Sequence, residues 1–567
     1  MKYSPLILVL LHLANLTFAQ GKYYQIDYTN NETLGLAAQY GNTDSAGFTL
    51  ETQKIKNGLL ANGFLLANID KLYFEQDTLQ AVINVGKKYK WQALGTHGIA
   101  EEMLSRVGYR EKDFFETEFS GKELNRLITR LLDEAGNSGY PFANLQLQEI
   151  QVAENSVMGI LNYEPGPVIY YDSLTLGEQN FIKPKFLESY LGIQEGTLFQ
   201  IKNIAQIEKS INRLPYCKLK DSIGLSFQNN LSNISFKVQP IKANKIDALI
   251  GFLPNNQGLL ISGNVNLQLQ NLFKSGKELS FLWNQFQVQS QKLYFLYKHP
   301  NLFRSALGIS LNFDMLKQDS AFFNTNFSMK GYYKYKQLEV SLATIFKSSR
   351  SLSTPTDAFK LPQLADYSMQ LIGARAAYNG LGNNSNPRKG TATFLDFQIG
   401  NKKINKNPDI AGVVYDGVNL NPVQIEVLAG AEINHPLVGP LVVHADIEAG
   451  AIFNNDKLFI NDLLRLGGVN SLRGFNDLEF FVSSYTIARF EARVLLNAKS
   501  RLFLFYDKAF TNNVVANIKV QPYGFGAGMM LNTSQGDLQL VYALGVSDQQ
   551  SLSLSHSKIH IGYVARF

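Results

Sequence analysis

From about residue 245 to Phe567 the chain alternates apolar and polar residues with a period of two. Val265, Leu267 and Leu269 interleave with Asn266, Gln268 and Gln270. Ala445, Ile447, Ala449 and Ala451 interleave with His444, Asp446 and Glu448, and Phe490, Ala492 and Val494 with Arg489, Glu491 and Arg493. Successive side chains of a strand point to opposite faces, so each segment has one apolar and one polar face. A soluble sandwich would give the same alternation. Two features favour a barrel in lipid. The segments are near the roughly nine to eleven residues that a tilted membrane strand needs. Aromatics gather at segment ends, where interfacial girdles lie. Membrane helices are excluded by a mean hydropathy of −0.10 and by the lack of an uncharged apolar run of roughly 20 residues after the N-terminal segment. An apolar content of 45% excludes a disordered chain. The lone Cys217 excludes a disulfide scaffold. A net charge of +6 is small beside 53 basic and 47 acidic residues, so no nucleic-acid partner is expected.

The N-terminus reads Met1-Lys2, an apolar core from Leu6 to Leu13, then Thr17-Phe18-Ala19. A charged start, an apolar middle and small residues before a cut predict an export signal over 1–19. Export suits a chain that nearly avoids Cys. No Cys follows the cut, so no lipid anchor is expected there.

Residues 22–242 mix helix-like and strand-like segments, and they repeat. Gly63-Phe64-Leu65-Leu66-Ala67-Asn68 recurs as Gly139-Tyr140-Pro141-Phe142-Ala143-Asn144, and the same step again reaches Pro215-Tyr216. Before each lies a helical apolar stripe: Ile55, Leu59 and Leu60; Leu124, Leu127, Ile128 and Leu131; Ile204, Ile207, Ile211 and Leu214. Strand-like runs follow, as at 72–74 with 81–85 and 145–151 with 156–163. The spacing predicts three tandem modules, 22–91, 92–168 and 169–242, each a helix pair on a short sheet. The barrel is expected over 245–567.

The final strand places Ile559, Ile561, Tyr563, Ala565 and Phe567 on one face, with His560, Gly562 and Arg566 among those on the other. His560, Gly562, Ala565 and Phe567 together resemble the C-terminal signal of bacterial outer-membrane barrels. The most specific stretch is Leu464-Arg465-Leu466-Gly467-Gly468-Val469-Asn470-Ser471-Leu472-Arg473-Gly474-Phe475. Its Leu472-Arg473-Gly474-Phe475 core resembles the conserved loop of the Omp85 family, which joins strands 11 and 12 of a 16-stranded barrel. Phe505-Tyr506-Asp507 resembles that family's Phe-x-Asp in strand 13, and Glu491 matches an acid of strand 12. Gly524-Phe525-Gly526-Ala527-Gly528 with Gly536-Asp537-Leu538 resembles the strand 14–15 pattern, and Pro387-Arg388-Lys389-Gly390 an earlier strand start. The repeats resemble POTRA domains, of β-α-α-β-β order, and three of them with a barrel are most similar to the TamA branch; BamA typically has five.

Parity gives an independent reading. Glu491 and Arg493 share the polar face of their strand, and Phe505 and Asp507 share a face opposite Leu504 and Tyr506. All four therefore point into the lumen if the apolar face meets lipid. A loop folded inward would set the Arg473 fork against Glu491 and Asp507, with Gly474 allowing the turn and Phe475 anchoring. No catalytic residues, metal ligands or cofactors are expected. The His residues show no metal spacing, and Cys217 reads as a small core residue. The resemblance implies an outer-membrane protein that is not an enzyme, with its N-terminal modules in the periplasm. Its expected partners are the lipid bilayer, unfolded periplasmic clients and an accessory or periplasm-spanning assembly protein. The expected function is client insertion or export through a barrel that opens between its first strand, near 245–253, and its last, 558–567. The alternative is a two-partner-type secretion pore for one exoprotein.

Overall fold

The structure is a computed structural model that describes residues 22–32, 34–75, 78–179, 181–255, 258–287, 289–354, 357–381 and 386–567. The expected export signal, 1–19, lies outside the described residues. The chain divides into two compact units. The first takes residues up to Asp172 with 195–205 and 226–233; the second takes 173–194, 206–225 and 234–567.

The first unit opens with a four-stranded sheet in the order Gln39–Thr43, Lys22–Thr29, Thr78–Asn84, Asn68–Glu75. Lys22–Thr29 runs parallel to Thr78–Asn84 and antiparallel to Gln39–Thr43. One helix, Ser45–Ala61, covers this sheet, burying Phe48 and Leu59 with Ile26, Ala81 and Ile83. Asp44 caps it, its carboxylate accepting from the Gly47 N–H at 2.7 Å. The expectation of a helix pair is corrected for 22–91, which has one helix among the described residues. The physical reason is local. Asn31 exchanges two hydrogen bonds with Leu36, to its carbonyl at 2.7 Å and from its N–H at 3.0 Å. That turn brings Gln39–Thr43 back as an edge strand where a first helix would lie.

Next comes a three-stranded sheet, Lys90–His97, Ser156–Glu164, Asn144–Val152, with helices Glu101–Val107 and Gly121–Asn137. Trp91, Leu94, Leu127, Leu131 and Leu161 form its core. The repeated glycine has a conformational cause. Gly63 and Gly139 follow the helices at φ of +98° and +94°, a region that L side chains rarely adopt. Further on lie helices Pro184–Leu191 and Ile201–Ile211 and a sheet in the order Gly224–Gln228, Leu231–Ser235, Tyr170–Thr175. The third occurrence of the repeat carries Pro215 where the first two have Gly. Proline's fixed negative φ excludes that turn.

In the second unit a closed antiparallel barrel runs through sixteen strands, in chain order around the wall. They are β1 Lys245–Asn255, β2 Gly258–Leu272, β3 Lys277–Gln287, β4 Ser290–His299, β5 Leu307–Gln318, β6 Phe322–Tyr335, β7 Leu338–Ser351 and β8 Asp366–Asn379. There follow β9 Gly390–Asn405, β10 Val423–Pro436, β11 Leu441–Asn454, β12 Ser484–Leu495, β13 Arg501–Asn513, β14, β15 Gly536–Val546 and β16 Lys558–Arg566. Strand β14 is broken into Ile518–Val520 and Tyr523–Asn532, both paired with β13. Pro522 sits at the break and has no N–H to give the ladder.

Exposure along the strands inverts that of a soluble sandwich. On β13, Leu504 and Tyr506 are 64% and 44% exposed, while Asp507 is fully buried. Apolar side chains thus face outward and charged ones inward, as a membrane barrel requires. The closure is uneven. Strands β1 and β16 pair only at Lys245↔Arg566 and Ile246↔Ala565 among the described residues, whereas β15 and β16 pair from Gly536↔Ala565 to Ala543↔Lys558. Within the same unit, the turn after β2 is stitched to residues 181–183. Asn271 donates to the Phe181 carbonyl at 2.7 Å, and the Lys183 N–H donates to the Lys274 carbonyl at 2.8 Å.

Candidate functional site

Between β11 and β12 the chain folds into the lumen as a hairpin, Leu464–Leu466 against Phe480–Val482. Its tip is residues 467–479. Gly467 and Gly468 have φ of +118° and +94°, so the turn needs residues without a Cβ. The Ser471 hydroxyl pins it, accepting from the Gly467 N–H at 2.8 Å and donating to the Gly467 carbonyl at 2.9 Å. Leu472 and Phe475 are fully buried among Leu466, Val482, Tyr485, Ile487 and Ala509. Phe475 meets Phe480 edge to face at 5.0 Å.

With the tip held by that apolar packing, Arg473 reaches the wall. Its Nε donates to Asp507 Oδ2 at 2.8 Å and its Nη2 to Asp507 Oδ1 at 2.6 Å, a bidentate fork. Its backbone N–H also donates to Asp507, at 3.2 Å. Nη1 donates to Glu491 Oε1 at 2.5 Å. The guanidinium lies over the Phe505 ring, 3.8 Å from its centre. Glu491 has a second partner, since its Oε2 accepts from Arg493 Nε at 2.7 Å. Arg493 in turn donates to Asn434 Oδ1 on β10 at 3.0 Å. Two arginines therefore face two carboxylates, so the set is neutral. A neutral, fully hydrogen-bonded cluster is the form in which a lumen can hold buried charge.

The structure thus brings together Leu472, Arg473, Gly474, Phe475, Glu491, Phe505 and Asp507. The four residues of the C-terminal signal lie apart from this cluster. Phe567 is exposed, its N–H donating to the Asn244 carbonyl at 3.1 Å. Ala565 faces Ile246 across the seam, Gly562 pairs with Gln539, and His560 pairs with Val541. Arg388 donates to the Gly439 carbonyl at 2.7 Å, and Gly390 opens β9 at φ +135°.

Gly524 belongs to the glycine-rich run that the sequence set beside the family's strand 14–15 pattern, whereas Gly545, which completes the seat, was missed. A Cβ on Gly524 would lie 1.9 Å from the Arg473 carbonyl oxygen, and one on Gly545 2.4 Å from that of Gly474. Two glycines on β14 and β15 therefore let the loop backbone lie directly on the wall. Gln550 and Lys558 were also missed. Gln550 donates to the Gly545 carbonyl at 2.8 Å and, more weakly, to that of Gly474 at 3.4 Å. Lys558 on β16 donates to Asn476 Oδ1 at 2.8 Å, tying the loop to the last strand.

Among solved structures, CdiB from Escherichia coli matches with a TM-score of 0.56 at 13% identity, covering 92% of this chain and 97% of that one. CdiB from Acinetobacter baumannii matches with a TM-score of 0.53 at 12% identity, with the same coverage of 92% and 97%. BamA from Haemophilus ducreyi lacking POTRA domains 1-3 matches with a TM-score of 0.44 at 14% identity, covering 84% of this chain and 100% of that one. At these identities the likeness to CdiB is one of fold. Comparison with curated protein sequences gives no match. The profile of the Omp85 superfamily domain matches residues 263–566. With the closed barrel and its inward loop, that match over more than half of the chain places the protein in the Omp85 superfamily.

Proposed function

We propose that this chain is an outer-membrane assembly or translocation factor that receives unfolded clients on its N-terminal modules and passes them to a laterally opening barrel. The observation that carries this reading is the seam. Among the described residues β1 and β16 share two rungs, which leaves most of the two facing strand edges to template an incoming strand by backbone pairing. The loop supports the reading from inside, because Lys558 joins the last strand to Asn476 beside the Arg473 lock. The three expected modules, 22–91, 92–168 and 169–242, are read as POTRA-like receivers lying in the periplasm. The first has an outer strand, Asn68–Glu75, on which Leu72, Tyr73 and Phe74 are exposed. Such an apolar edge suits an extended client segment. An accessory or periplasm-spanning partner would bind the same modules. The work is done by binding and strand exchange, so the reading calls for no enzyme activity or cofactor.

A secretion pore for one exoprotein is the second reading. It calls for a plug helix ahead of the modules. The first described segments, Lys22–Thr29 and Gln39–Thr43, belong to the sheet of the first module, and the stretch ahead of them lies outside the described residues. Depletion followed by outer-membrane proteomics tests the choice. Loss of several barrels supports assembly; loss of one exoprotein with barrels intact overturns it.

A further inference from the structure

The loop that carries Arg473 rests on the wall at a second place. Just before the hairpin, Asn461 is buried and fully engaged. Its side chain accepts from the Ala365 N–H at 3.2 Å and donates to the Ala365 carbonyl at 2.7 Å and to Ser349 Oγ at 2.6 Å. Its carbonyl accepts from Asn324 Nδ2 at 2.9 Å and from the Tyr367 hydroxyl at 3.2 Å. The next residue, Asp462, pairs with Lys402, and neither side chain has any exposed surface. The Lys402 ammonium sits 4.5 Å from the Tyr367 ring centre and 5.1 Å from that of Phe459.

These contacts fall on β6 (Asn324), β7 (Ser349), β8 (Tyr367) and β9 (Lys402). The Arg473 lock falls on β12 and β13, with its seat on β14 and β15. One loop therefore joins two parts of the wall that are about six strands apart. The piece between them is stiffened by the pairs Leu464↔Val482 and Leu466↔Phe480 and by the Ser471 ties. Arg465 leans on Phe322 of β6, its guanidinium 5.4 Å from the ring centre.

We propose that this loop is a strut across the lumen with two feet, and that Lys402, Asp462 and Asn461 form the second foot, which positions the Arg473 lock and keeps the pore shut. The argument is one of charge. Lys402 belongs to the wall, but its counter-ion and one of its two flanking rings belong to the loop. While the loop is docked, Asp462 compensates a Lys402 that has no exposed surface; without that carboxylate the buried ammonium is relieved only by lifting the loop into water, so the pair holds the foot down. Nearby Glu426 pairs with Lys347 and accepts from Gln424 at 3.1 Å, which leaves Asp462 as the carboxylate for Lys402. Because the hairpin is stiff, freeing this foot loosens the tip as well. The proposal rests on reading the loop as a moving part of an assembly machine.

The test uses the full chain refolded into planar bilayers of phosphatidylethanolamine and phosphatidylglycerol, reading single-channel current in KCl. Asp462→Asn is expected to raise the open fraction about tenfold or more, and Asp462→Glu to restore much of the closure. As a second variant, Ser349→Cys with Asn461→Cys, bridged through two disulfides by a short bis-methanethiosulfonate, is expected to close the pore beyond wild type and to reopen on reduction. Unchanged current in Asp462→Asn, or in the bridged pair, overturns the second foot. Arg473→Ala keeps the two readings apart. If it opens the pore while Asp462→Asn does not, the foot fails and the lock stands. If it opens the pore but leaves insertion of a urea-unfolded eight-stranded barrel into vesicles unchanged, the assembly reading fails.

Discussion

Replacing Arg473 by alanine should unseat the loop, and its size can be worked from the partners left behind. Glu491 keeps Arg493 at 2.7 Å, so its charge stays compensated. Asp507 does not. It loses both hydrogen bonds from the Arg473 side chain and is fully buried. A poorly compensated charge at such a site costs about 3–5 kcal/mol, which shifts the docking equilibrium by roughly two to four powers of ten. The loop then leaves, since undocking hydrates Asp507. Hydrogen exchange at the amides of 472–475 reads this directly and should speed up by a similar factor; heat-modifiable gel mobility reports whether the barrel itself is intact. A companion variant sharpens the assignment. Arg473→Ala with Asp507→Asn removes the orphan charge and should recover most of the loss. If Arg473→Ala leaves exchange at 472–475 as slow as in the unaltered protein, the ion pair does not hold the loop, and the reasoning from burial is wrong.

Gly545→Val should give the same release without touching a charge, because its Cβ would meet the Gly474 carbonyl at 2.4 Å; exchange at 472–475 again reads it. A disulfide between Ile246→Cys and Ala565→Cys, which are register partners, should seal the seam and block insertion of a urea-unfolded barrel until reduced. Gly63→Ala should destabilise the first unit by about 1–2 kcal/mol from its left-handed φ alone, and more because its Cβ would lie 2.6 Å from the Phe119 carbonyl; urea unfolding of the N-terminal region measures it. Burial raises the Cys217 thiol to about 12. It should resist a thiol reagent at pH 8 when folded and react on denaturation. Between about pH 9 and 12 the unfolded thiol ionises while the folded one does not, so its contribution to stability falls as pH rises through that range.

What could be read from the sequence followed from how local each signal is. Barrel strands announce themselves because lipid and lumen impose opposite chemistry on neighbouring residues, so parity alone put Glu491 and Asp507 inside and Leu504 and Tyr506 outside. The loop core was legible because Arg473, Glu491 and Asp507 lie within one stretch of chain and match a family pattern. The single helix of 22–91 was not legible, since the Asn31 turn that replaces the first helix is one residue's side-chain chemistry. Gly545 carried no signal, because a lone glycine in a strand does not say what approaches it. Lys402 and Asp462 were invisible for another reason. They are 60 residues apart, and a lysine on a polar strand face looks like any solvated lysine until a loop is laid over it.

The two-rung seam has a thermodynamic consequence. Water is absent from the bilayer core, so each unpaired backbone N–H or carbonyl there costs several kcal/mol. Strand β1 is eleven residues long, yet among the described residues only Lys245 and Ile246 pair with β16. The remaining edges thus hold a standing chemical potential for hydrogen-bonding partners, one indifferent to side chains. An extended strand satisfies it most fully. A client that has curled into its own closed barrel offers no edge and gains nothing by staying. On the assembly reading, affinity falls as folding proceeds, so product release needs no separate energy source: the client leaves because completing its own ladder removes what held it.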